Sequence, residues 1–93
     1  MKHATEPALN QLERLLEQIR RVDGVIERKR GCFYGKSAAV LHFHEDPAGL
    51  FADLRDGSDW IRLPANTSAE YKVIVTKLKT ALARTIQGDR KKR

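Results

Sequence analysis

Hydrophobic positions change period twice along the chain. Leu9, Leu12, Leu15, Leu16, Ile19 and Val22 recur at steps of three and four, which places them on one stripe of a helix. Glu13, Arg14, Glu17, Arg20 and Arg21 lie largely off that stripe. Thr5 is expected to cap the helix, Pro7 is tolerated in its first turn, and Asp23-Gly24 should stop it. The following run, 25–30, is short and charged, and reads as an edge strand whose Lys and Arg side chains discourage pairing with another chain. Gly31 is expected to mark a bulge, with Cys32-Phe33-Tyr34 continuing extended. Residues 38–45, 50–55 and 60–63 then alternate as strands, separated by the turn signals Asp46-Pro47-Ala48-Gly49 and Asp56-Gly57-Ser58-Asp59. After Pro64-Ala65-Asn66 the helical period returns. Thr67-Ser68-Ala69-Glu70 has the form of a capping box, and Tyr71, Ile74, Val75, Leu78, Ala81 and Leu82 form one stripe that Gly88 should end.

Two amphipathic helices around about four short strands must cover a sheet face. The expected fold is a two-layer α+β sandwich, an antiparallel sheet with the N-terminal and C-terminal helices packed on one side. It forms a single domain over 5–88, with 89–93 as a disordered basic tail. The other sheet face is then open to solvent or a partner.

Parity assigns residues to that open face. Leu41, Phe43, Ala52, Leu54, Ile61 and Leu63 all face the helices when Leu41 pairs with Leu54, Phe43 with Ala52, Leu54 with Ile61 and Ala52 with Leu63, pairings that leave hairpin loops of common length. The same registers, with four-residue loops at both turns, align His42, Asp53 and Arg62 across three strands of the open face. Val40, Arg55 and Trp60 form the next row, and His44 and Phe51 the row on the other side.

Charge adds a second candidate surface. The chain of 93 residues carries a formal net charge of +6, about half of it in the last five residues. A basic set at Arg28, Lys29, Arg30 and Lys36 could attract phosphate backbones by counterion release, or serve as solvated surface. No helix-turn-helix or RNA-binding motif accompanies it. A single cysteine, Cys32, excludes an intramolecular disulfide and a multi-cysteine zinc site, and reads as a small packing residue. No apolar run is long enough to cross a membrane and no signal segment is read at the N-terminus, so a cytoplasmic protein is expected.

The candidate ligand-binding residues are therefore His42, His44, Asp53, Trp60 and Arg62. His42 beside Asp53 could act as an oriented base, because a carboxylate fixes an imidazole tautomer. His42 and His44, two apart on a strand, could instead hold a metal ion with Asp53 as third ligand. The plain alternative is cross-strand charge pairing, with Trp60 packed on Arg55. His-x-His alone carries little specificity, and neither a Cys-x-x-Cys pair nor a phosphate-binding glycine loop supports it.

Residues 41–54, Leu-His-Phe-His-Glu-Asp-Pro-Ala-Gly-Leu-Phe-Ala-Asp-Leu, resemble the central segment of the luciferase-like domain family of small bacterial and fungal proteins. Asp53-Leu54, Trp60 and the helix from Thr67 follow in the order that the resemblance implies. It does not imply light emission, since the chain carries no luciferin or flavin motif.

From the residues, the expected function is that of a small binding module rather than an enzyme, using the open face or the basic rim for a phosphate-bearing ligand or nucleic acid. The alternative is a small-molecule or metal-dependent site at His42, Asp53 and Arg62. No cofactor is expected, no metal ligand is assigned, and the partners considered are nucleic acid, an anionic ligand or a second copy of the chain.

Overall fold

The stripe over residues 9–22 folds as two helical segments, α1 (Glu6–Gln11) and α2 (Glu13–Arg20), in a computed structural model that describes residues 2–36 and 38–91. They meet at Leu12, whose N–H is shared between the carbonyls of Ala8 and Leu9 at 3.2 and 3.1 Å, a tightened turn. Thr5 does not cap α1 with its side chain. Its hydroxyl and its N–H both donate to Glu45 Oε1, at 2.6 and 2.7 Å. An ionised acceptor makes a stronger bond than a peptide group, so Thr5 turns toward it.

Among the described residues the sheet has six strands in place of about four: β1 (Lys2–His3), β2 (Ile26–Lys29), β3 (Cys32–Tyr34), β4 (Ala39–Asp46), β5 (Gly49–Asp56) and β6 (Asp59–Pro64). Their order is β2-β3-β4-β5-β6, with every neighbouring pair antiparallel, and β2 stands at an edge. One extra strand arises because residues 32–34 reverse on 26–29 instead of continuing them. Lys29 pairs with Cys32 around a two-residue turn, and Gly31 adopts φ +80°, a conformation that suits glycine. The other is β1, which pairs Lys2 with Glu45 and His3 with His44. Strand β4 thus shares one edge between two partners placed end to end, β3 along its first half and β1 along its second.

The central registers match the parity expectation: Leu41 with Leu54, Phe43 with Ala52, Leu54 with Ile61 and Ala52 with Leu63. Pairing runs one step further at each hairpin, so the loops hold two residues, Pro47-Ala48 and Gly57-Ser58. Asp46 Oδ1 accepts the Ala48 N–H at 2.6 Å in the first, and Gly57 at φ +69° starts the second. Val40 departs from expectation. A register shift between Phe33 and Tyr34 leaves it as the extra residue on β4, and it packs against the core rather than joining Arg55 and Trp60.

Helix α3 (Ser68–Lys91) starts at the expected capping box, where the Glu70 N–H donates to Thr67 Oγ1 and the Thr67 N–H to Glu70 Oε1, both at 3.1 Å. It continues past Gly88, where the sequence pattern expected a stop. The expected disordered tail of 89–93 extends to residues that lie outside those described. Leu12, Leu15, Leu16 and Ile19 from the N-terminal helices meet Ile74 and Leu78 of α3 and Phe33, Leu41 and Leu54 of the sheet in one core, all fully buried. The α+β two-layer class follows from that core, and among the described residues the opposite sheet face carries no helix. Among the described residues no helix is long and apolar enough to cross a membrane.

Charged side chains tie the N-terminal helices to the β2–β3 hairpin. Arg20 donates to Glu27 through Nε and Nη2 at 2.6 and 3.1 Å, and to Glu13 through Nη1 at 2.6 Å. Hydrogen bonds from Arg20 hold the Glu27 carboxyl below its ordinary range, against the opposing effect of burial. Arg30 and then Arg20 do the same for Glu13. Because these folded-state values are depressed, the stability they supply is present above the ordinary glutamate range and is lost as pH falls below it. Acidification from pH 6 to 3 is therefore expected to lower the Tm less in Glu27→Gln than in the wild type. Equal slopes in thermal melts across that range would contradict the linkage.

Candidate functional site

The register predicted for the open face is present. His42 stands opposite Asp53, and Asp53 opposite Arg62. The side chains refine the picture. Arg62 donates to Asp53 in a two-pronged contact, Nε to Oδ1 at 2.8 Å and Nη2 to Oδ2 at 2.9 Å. Those bonds outweigh burial and hold the Asp53 carboxyl below its ordinary range, although the residue is only 7 % exposed. The imidazole nearest Asp53 belongs to His44 instead of His42: His44 Nδ1 lies 3.0 Å from Asp53 Oδ2. This is a diagonal contact, of the kind long side chains reach between paired strands. It has the distance of a hydrogen bond without its angle, so His44 Nδ1 remains buried and unpartnered.

The sequence reading missed a third imidazole. His3 on β1 pairs with His44, and its ring centroid lies 4.6 Å from that of His44 and 5.8 Å from that of His42. The His42 and His44 rings are 4.9 Å apart and nearly perpendicular, at 75°. Every histidine of the chain is thus in one cluster, and one nitrogen of each can be chosen so that all lie within 4.8 Å of one another. A two-residue strand carries too little periodicity to be read from sequence, which is why His3 escaped notice. Asp53, the third ligand in the metal alternative, is already committed to Arg62 and lies 3.0 Å from His44 Nδ1.

Trp60 closes one side of the cluster, its ring centroid 4.8 Å from that of His42 and the residue 44 % exposed. It stands opposite Arg55, whose Nε donates to the Gly57 carbonyl at 3.2 Å. Burial is the first cause of depressed pKa values at both His42 and His44; the second is the His44 charge for His42, while for His44 the Asp53 charge opposes the shift. His42 Nδ1, like His44 Nδ1, is buried without a hydrogen-bond partner. Such atoms are costly unless something satisfies them.

The basic set behaves differently. Arg30 is drawn into Glu6, Asn10 and Glu13 at 2.7, 2.9 and 2.9 Å. Arg28 lies over the Tyr34 ring, 4.8 Å from its centroid. Arg28 and Arg30 are thus engaged within the protein, and Lys29 and Lys36 are solvent-exposed. Cys32 is a free, half-buried thiol. No family model, curated protein or solved structure matches the chain.

Proposed function

We propose that this protein is a small binding module that works through the helix-free face of its sheet, with a divalent transition-metal ion as its first ligand. The observation that supports this is the gathering of His3, His42 and His44 with their candidate nitrogens within 4.8 Å. Imidazole nitrogens suit zinc and its neighbours, and a zinc ion sits about 2.0–2.1 Å from each. That bond length puts ligating nitrogens roughly 3.3 Å apart in a tetrahedral site. The cluster therefore has to draw in by about 1.5 Å, and His3, exposed on a short strand, has the freedom to do so. Asp53 Oδ2, 3.0 Å from His44 Nδ1, is near enough to accept that N–H after a small turn of the ring, which would leave the other nitrogen for the ion, the usual role of a carboxylate behind a ligating histidine. Arg62 in turn fixes Asp53.

Isothermal titration of the protein with Zn2+ tests the reading, with the fluorescence of Trp60, the chain's one tryptophan, as a second readout. One equivalent is expected to bind. His44→Ala should abolish binding, and Asp53→Asn should weaken it about 10- to 100-fold, as removal of an orienting partner does. Binding that survives His44→Ala unchanged would place the ion elsewhere and overturn the reading.

A further inference from the structure

We infer that an ion held by His3, His42 and His44 takes a phosphate-bearing anion as its next ligand, with Arg62 beside it as a second contact. This rests on the metal reading above and goes beyond it by naming what the loaded site binds.

Three protein donors leave a coordination position open in a tetrahedral ion. Behind the cluster lies the sheet, so that position opens toward the side where His3, Trp60 and Arg62 are exposed. The charge there favours an anion. Ligating imidazoles are neutral and leave the ion's double positive charge uncancelled, unlike thiolate or carboxylate ligands. Along β4, β5 and β6, alternation places the acidic residues Asp46 and Asp53 on this face together with the basic residues Arg55 and Arg62, whose charges balance, and Arg28, over the Tyr34 ring, adds positive charge toward the β2 edge. A loaded face therefore keeps the excess charge of the ion itself.

Arg62 supplies the directional part. Its Nε and Nη2 each donate once to Asp53, which leaves three of the five guanidinium N–H groups for another acceptor. Its side chain is 50 % exposed although its carboxylate partner is buried, so the guanidinium is anchored at one edge and open at the other. That is the posture of an arginine able to bind a phosphate with a preset geometry.

The test uses two probes, inorganic phosphate and AMP, titrated into metal-free protein and into protein loaded with one equivalent of Zn2+, so that no free ion precipitates phosphate. Loaded protein is expected to bind both probes about tenfold or more tightly than metal-free protein, within the usual range of coupling between two sites. By linkage the same factor must tighten Zn2+ when phosphate is present. Arg62→Lys, compared with the wild type with both proteins saturated with Zn2+, should reduce phosphate affinity. AMP that binds more tightly than inorganic phosphate would identify the nucleotide as the source of the phosphate, and equal affinities the free anion. Zn2+ binding with no gain in phosphate affinity overturns this inference and leaves the metal reading intact. Equal phosphate binding with and without Zn2+ also overturns it, since the anion would then not be a ligand of the ion. Failure of Zn2+ to bind removes the metal reading and this inference with it.

Discussion

Leu78→Ala is expected to lower the free energy of unfolding by about 2–5 kcal/mol, whereas Lys79→Ala, one position on, should change it by less than about 0.5 kcal/mol. Leu78 is fully buried in the core, and Lys79 is exposed on the same helix. The loss has two parts: the transfer free energy of the deleted carbons and the cavity that partial relaxation leaves behind. Leu15→Ala on α2 should behave like Leu78→Ala, because Leu15 is equally buried in the same cluster from the other helix. In a domain of this size, each kcal/mol corresponds to roughly 4–8 °C in Tm. Urea unfolding of the three variants would measure the contrast. Similar losses at Lys79 and Leu78 would mean that the helix presents a different face to the sheet.

Gly31→Ala should cost roughly 2–4 kcal/mol, more than Gly57→Ala. Both glycines have positive φ, +80° and +69°, so a side chain at either is strained by about 1–3 kcal/mol. Only Gly31 adds a collision: a Cβ there would lie 2.6 Å from Leu9 Cδ2, while at Gly57 it would meet nothing within 4 Å. The Leu9 methyl is the tip of a flexible side chain, so part of the overlap can be relieved by rotation, at the expense of packing in the core. The difference between the two variants isolates that packing contribution from the backbone strain they share. Equal destabilisation in chemical denaturation would show that Leu9 moves aside freely.

Much of this was legible in the residue pattern because one rule, alternation, acted on several strands at once. Leu41, Phe43, Ala52, Leu54, Ile61 and Leu63 share a face only in registers of one parity, short hairpin loops chose among those, and the expected pairings are the ones found. The row His42, Asp53, Arg62 came with them. What escaped depended on details that alternation does not carry. Arg30-Gly31 reads as a charged strand with a bulge, and only backbone geometry shows that the chain reverses there. Val40 left its row because of a one-residue shift opposite Phe33 and Tyr34. Asp53 met His44 in place of its direct partner His42, a choice made by side-chain reach across a twisted sheet. The third histidine lies on a strand of two residues, below the length at which a pattern exists.

The divided edge of β4 has a consequence for the order of folding. The contacts of the β4–β5 and β5–β6 hairpins close over a few residues, and short loops form early and at small entropic cost. The contact of Thr5 with Glu45 spans 40 residues, and β1 can dock only once β4 presents a formed edge beside the end of β3. Closure of β1 is thus expected to be among the last events on the folding pathway and among the first to reverse in local opening. The three-imidazole cluster then exists only in the fully closed state. A ligand that needs His3 as well as His42 and His44 would bind that state alone, slowing amide exchange at residues 3–5 first and elsewhere only in proportion to its occupancy.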